Sequence, residues 1–332
     1  MSSGVLEPPT KASGNYPHYH IFHADADVLS GDLKRPIQQR IETQPVHLKD
    51  RRGGHLSSVT EDFSLEGYIS FKRGITRVSG APSSKPVSGH EGWTTLSTSV
   101  LEDLNVFEII TADRVVSQVS TDHAYENGHV PRVTFLGTQL RNLQISGFPA
   151  TVVLNLGVCE RTSDTDQPNT NFSSGDQPYV TDKKFLATAL EQAETLRDWE
   201  HLPKDLRDKY TDRASKIKGL MRDGVAKGAE ETIVICSVIR DIIIDKTLIP
   251  GLQVLRNLLV IPEFGTVTLG EIEVKAQKVR ERELYEPANG SESKGLTMSH
   301  SFKLTMLDMH LGCVGDGSVK AAQASANGHT KP

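Results

Sequence analysis

The segment HYHIFHADADV sets His18, His20 and His23 beside Asp25 and Asp27 within ten residues. Alternate positions of an extended strand point the same way, so His18 and His20 could offer two imidazoles to zinc or another divalent metal. Carboxylates supplied from elsewhere would then complete a metal-dependent hydrolase site. Asp25 and Asp27 could take calcium weakly, although no EF-hand loop or glycine-rich nonapeptide repeat surrounds them. Further ligands would have to come from His90 with Glu91, Asp122 with His123, His129, His300 or His310, and none of these stands at HExxH spacing. A plainer pattern competes with the metal reading. Phe22, Ala24, Ala26 and Val28 alternate with His23, Asp25 and Asp27, which is a half-buried strand with a polar solvent face and His20 on the apolar side. On that reading the protein needs no cofactor.

Other chemistries find little support. The chain has no GxGxxG, no GxxxxGK[ST] and no GxSxG, so dinucleotide binding, P-loop hydrolysis and α/β-hydrolase chemistry are not indicated. Cys159, Cys236 and Cys313 are too far apart for a metal knuckle or a disulfide framework, though one bridge could form. Cys159 ends a β run and Cys236 lies in TIVICSVI, contexts that suit structural thiols. A net charge of −5 over 332 residues leaves no basic surplus for phosphates, which argues against nucleic acid as a partner. The most apolar region, 232–261, is interrupted by Arg240, Asp241, Asp245, Lys246 and Arg256, so no membrane-spanning helix is predicted. The N-terminal segment has neither a basic n-region nor an apolar h-region, and a cytoplasmic location is expected, with non-classical export or surface association left open.

The elements that would position these residues are mostly strands. Runs at 64–80, 93–104, 107–120, 132–147, 151–159, 265–279, 301–311 and 317–326 are rich in β-branched residues and separated by Gly, Pro, Asn and Asp. So many strands without helices between them predict antiparallel pairing in a sandwich, prism or solenoid. One region differs. Phe185, Ala189, Ala193, Leu196 and Trp199, then Leu206, Tyr210, Ala214, Ile217, Met221 and Val225, recur every three or four residues. They predict two amphipathic helices, the first capped by Thr181 or Asp182, the second opening near Pro203 and ending at Gly224 or Gly228. The expected organisation is an N-terminal tail 1–17, an all-β domain 18–159 plus 228–326, an inserted polar loop and helical hairpin 160–227, and a C-terminal tail 327–332. The hairpin would serve as a lid, as a docking arm or as the cover of an open sheet edge.

Four segments carry a resemblance. IITADRVVSQVS (109–120), FLGTQLRNLQISGFP (135–149), IPEFGTVTLGEIEV (261–274) and GDGSVKAAQASA (315–326) resemble, in order and character, the choice-of-anchor P family of bacterial surface domains, over about 140 of the 332 residues. The resemblance implies an all-β, non-catalytic domain associated with cell surfaces or extracellular material, with no catalytic residues to carry over. This chain departs from that family in showing no signal peptide and no sorting tail.

Together these readings predict a structural or binding protein that forms homo-oligomers through strand edges or terminal arms, HADADV and KAAQASA being two small-residue terminal strands able to pair within or between subunits. The rival is the metal-dependent hydrolase built on His18, His20 and His23. A third reading is a carbohydrate or small-ligand binding sandwich with Tyr68, Trp93, Tyr125 or Trp199 as stacking platforms.

Overall fold

The computed structural model describes residues 19–83, 92–124, 130–160, 178–226, 229–280, 296–312 and 316–331. They fold as two nine-stranded antiparallel sheets packed face to face, the sandwich among the arrangements expected. In the first sheet the central strands are β16 (Gly265–Arg280), β17 (Leu296–Leu311), β18 (Gly317–Lys331) and β1 (Tyr19–Leu33). Beyond β1 lie the short β2 (Gln39–Glu42) and β3 (Val46–Asp50), and beyond β16 lie β12 (Glu231–Ser237) and β15 (Leu258–Ile261) with β14 (Gln253–Leu255). The second sheet runs β4 (Gly54–Leu65), β5 (Ile69–Ser83), β6 (Gly92–Val106) and β7 (Ile110–Ala124). It continues through β8 (Arg132–Thr134), β9 (Gln139–Arg141) and β10 (Leu143–Ile145), all on the same side of β7, to β11 (Phe148–Leu154) and β13 (Ile239–Ile243).

The terminal strands meet in the middle of the first sheet. Ala24 pairs with Ala326 and Ala26 with Ala324, and pairing continues to Tyr19 opposite Lys331. Residues 327–331 therefore belong to a strand, where the sequence suggested a tail. Short side chains let the sheets approach closely here. Ser97 Oγ on β6 donates to the Asp25 carbonyl, Ser99 Oγ to the Asp27 carbonyl at 2.7 Å, and Ser117 Oγ on β7 to the Leu304 carbonyl at 3.1 Å. Hydroxyls thus cross between the sheets, which side chains of Leu or Phe size would prevent.

A bend crosses both sheets. Asp62, Asp103, Gly270 and Ala322, on β4, β6, β16 and β18, have φ of 51°, 55°, 58° and 50°, and cross-strand pairing skips at each of them. A left-handed residue in a strand advances the pleat by one, so the buried set changes parity. On β1 the buried apolar residues are Phe22, Ala24, Ala26 and Val28 before the line and Leu29 and Leu33 after it; on β6 they pass from Leu101 to Leu104 and Val106. Without that shift the second half of each strand would turn its Leu and Val residues to water.

The two predicted helices form between the sheets' segments. In α1 (Lys183–Arg197), Asp182 Oδ1 accepts from the N–H groups of Lys184 and Phe185, both at 2.9 Å, and Phe185, Ala189, Ala193 and Leu196 are buried as their spacing predicts. In α2 (Lys204–Asp223), Leu206, Tyr210, Ala214 and Ile217 are buried and Gly224, at φ 70°, ends the helix. Met221 continues the periodic stripe but is 39 % exposed, and in the last turn it is Leu220 that packs against the core. Helix α1 packs on β12. There the Gln192 carboxamide accepts from Ser237 N–H at 2.8 Å and donates to Ser237 C=O at 3.1 Å, taking the place of a neighbouring strand.

Candidate functional site

Four of the five predicted ligands lie on β1, and its pleat divides them. His20 faces inward at 1 % exposure, while His23, Asp25 and Asp27 alternate with the buried Phe22, Ala24 and Ala26 on the outer face. His18 falls outside the described residues. Inside the sandwich His20 stacks on Trp93 at 5.2 Å between ring centres, meets Phe22 edge-on at 4.7 Å and contacts His123 at 4.6 Å. The fold thus joins His20 to one of the distant histidines seen in the sequence. A structural or catalytic zinc takes three or four protein ligands. Among the described residues no group of three or more His, Cys, Asp or Glu is placed to hold a metal ion.

On the outer face the acids tie strands together. Asp25 Oδ1 lies 2.7 Å from His47 Nδ1 on β3, and Asp25 Oδ2 accepts from Ser325 Oγ on β18 at 3.0 Å. Asp27 Oδ1 accepts from Thr43 Oγ1 at 2.8 Å, and Gln323 Nε2 approaches its other oxygen at 3.5 Å. Thr43 in turn accepts from Leu29 N–H at 3.1 Å. These bonds pin β18, β3 and the segment after β2 to β1. Asp122, beside His123 but on the opposite face, accepts from Thr94 Oγ1 at 2.6 Å, and burial raises its carboxyl above the usual aspartate value.

A second polar cluster has no counterpart in the sequence reading. Arg213 on α2 pairs with Glu271 on β16 at 2.9 Å, with its guanidinium 5.2 Å from the Tyr210 ring centre. Burial, with Arg213 nearby, pulls Lys209 below the ordinary lysine value, and burial pushes the Tyr210 phenol up to about 12. Asp308 on β17, opposite Lys320 of β18, is also buried. The only signal in the sequence is the four-residue step from Lys209 to Arg213 along one helix face, since Glu271 and Asp308 lie on separate strands. The cluster fastens α2 to the outer face of the first sheet.

Three of the predicted stacking platforms pack against other residues of the chain. Trp93 is 5 % exposed, Trp199 packs with Leu196, Leu202, Leu206, Tyr210 and Leu258, and Tyr68 leans on Phe107 at 5.5 Å. Tyr125 lies outside the described residues. Cys159 and Cys236 are buried, and Cys313 also lies outside the described residues.

The feature most open to another molecule is an edge. Strand β4 is 12 residues long and pairs along one side with β5; among the described residues no strand pairs with its other side. Ser58 Oγ donates to Gln44 Oε1 at 3.0 Å, which fixes β4 against the turn before β3 without using its backbone. Leu56 and Val59 are 45 % and 46 % exposed, and the strand contains neither Lys nor Pro. On the outer face Val59 ends an apolar row that continues through Ile75, Val100 and Val116, residues paired side by side on β5, β6 and β7 and each at most 9 % exposed. Beside that row Glu61 pairs with Arg73 at 3.1 Å and Glu102 with Arg114 at 3.8 Å.

Among the described residues, fold and surface together define a two-sheet β-sandwich with a helical pair on one flank and one long strand, β4, at an unpaired edge. A family model described as Domain of unknown function (DUF8256) matches residues 20–275, and the chain belongs to that family. No curated protein and no solved structure matches it. The matched span holds β4 and both helices; β17 and β18, which join β16 to β1, lie beyond it.

Proposed function

We propose that this protein is a non-catalytic structural component that self-associates through an open sheet edge. The observation that carries the reading is β4, a long ladder side without a partner strand among the described residues. Exposed edges are usually protected by Lys, Pro, bulges or a covering element, because their unpaired N–H and C=O groups recruit other strands. The first eight residues of β4, GHLSSVTE, contain no Lys, Pro or register shift before the left-handed Asp62. The edge at β12, by contrast, is covered by α1 through Gln192. The terminal strands, the other route considered from the sequence, are paired with each other within the chain, so exchange through them would first require opening fourteen cross-strand pairs.

Light scattering on the full chain over a hundredfold concentration range, beside metal analysis of the same sample, tests this reading. A mass that rises with concentration in metal-free protein is the expected result. A constant monomer mass, or stoichiometric zinc that vanishes when His20 and His123 are changed to Ala, would replace self-association with the hydrolase reading or with none.

A further inference from the structure

The open edge has a definite partner in its own sequence. We infer that β4 pairs with β4 of a second copy, antiparallel, about a two-fold axis at Val59. This rests on the self-association reading and adds the occupant, the register and the symmetry.

An antiparallel pair about an axis normal to the sheet keeps each face on its own side and sets residue i opposite residue j with constant i + j. With Val59 on the axis, Ser58 stands opposite the partner's Thr60, and Glu61 opposite the partner's Ser57. Three features of the outer face favour this register. The apolar row Val116, Val100, Ile75, Val59 would continue into the partner's Val59, Ile75, Val100 and Val116, covering the one member of the row that is exposed. Glu61, already against Arg73 on one side, would face the partner's Arg77 on the other, because Arg77 lies directly behind the small Ser57 in the β4–β5 register. The alternation of acid and base along that row then crosses the axis twice, once in each direction. Finally, the left-handed Asp62 bends β4 one residue past Glu61, where the β4–β5 ladder skips a pair before resuming in the same register, so a straight inter-copy ladder spans Ser57 to Glu61 on both copies and stops at the same place.

The symmetry matters for what is built. Pairing β4 with a different edge would be heterologous and would propagate into a filament, whereas pairing it with itself closes at two copies. Five paired residues make a small interface, so the dimer is a concentration-dependent equilibrium, with the exposed charge pairs setting register more than affinity.

Two measurements on the full chain decide it. In the first, Val59→Cys and Leu56→Cys are oxidised beside wild type: residues on the axis come within disulfide reach, while Leu56 lies on the other face of the strand. Val59→Cys should give a covalent dimer well above the other two. In the second, Arg77→Glu and Glu61→Arg are each expected to weaken dimerisation about tenfold, and an equimolar mixture of the two variants should recover it as a heterodimer with both charge pairs complementary. Thermal unfolding of each variant checks that the fold persists. If wild type associates but Val59→Cys links no better than Leu56→Cys, or the mixture recovers nothing, the register inferred here is wrong while self-association stands. If wild type remains monomeric throughout, both fall.

Discussion

Asp25 and Asp27 use their carboxylate oxygens to hold three segments against β1. Under α2, burial lifts the Tyr210 phenol from 10.0 to about 12. The unfolded chain then gives up this proton first. Its contribution to stability is complete below pH 10, falls as pH rises toward 12, and amounts over that window to roughly 2–3 kcal/mol. Tyr210→Phe should flatten the alkaline loss: denaturant unfolding at about pH 9 and about pH 11.5 should show wild type losing more stability between the two than the variant. Equal losses would mean that this phenol is not held as described. At this scale the sequence is a partial guide. The alternation around Phe22 is enough to put His20 inside and Asp25 outside, but nothing local indicates that His20 would meet His123, about a hundred positions away, because that contact is made by the stacking of two sheets.

Gln192 is the residue that lets a helix finish a sheet. Replacing it by Leu leaves the Ser237 N–H and C=O buried without these partners, and Gln192→Leu should cost about 2–4 kcal/mol in chemical unfolding. A change below about 0.5 kcal/mol would show that the amide bridge is incidental. The bend line makes a second element-scale demand. Gly270 has φ 58°, and a Cβ there would stand 2.7 Å from Val238 Cγ2 and Ile239 Cγ1, at the crossing where the chain passes from the first sheet to the second. Gly270→Ala should therefore lower stability by about 2–4 kcal/mol, combining left-handed strain with overpacking; an unchanged melting temperature would contradict the bend. Helix positions and caps were legible because period and capping chemistry are local. The strands β2, β3 and β4 were not, since β4 is exposed on both faces and shows no alternation, and the run 132–147 breaks into three short strands that each serve a different stretch of β7.

Across the whole molecule, every long strand turns the same corner, the terminal strands close the first sheet, and the helices cover its β12 edge. Among the described residues the long strand left with an unpaired side is β4. The all-β class and the inserted helices could be read from composition and spacing, because strand and helix periods differ. The sheet order could not, because β1 and β18, which pair side by side, are separated by nearly all of the other strands in the sequence. No helix of the described residues is long and apolar enough to cross a membrane. The most direct test of an interface at this edge is hydrogen exchange of the backbone amides of 54–65, measured by mass spectrometry on wild type at low and high protein concentration. Slower exchange at high concentration, confined to the β4 peptide and lost in Val59→Lys, is the expected result. Exchange that does not depend on concentration, or protection that arises at β3 or β13 instead, would contradict it.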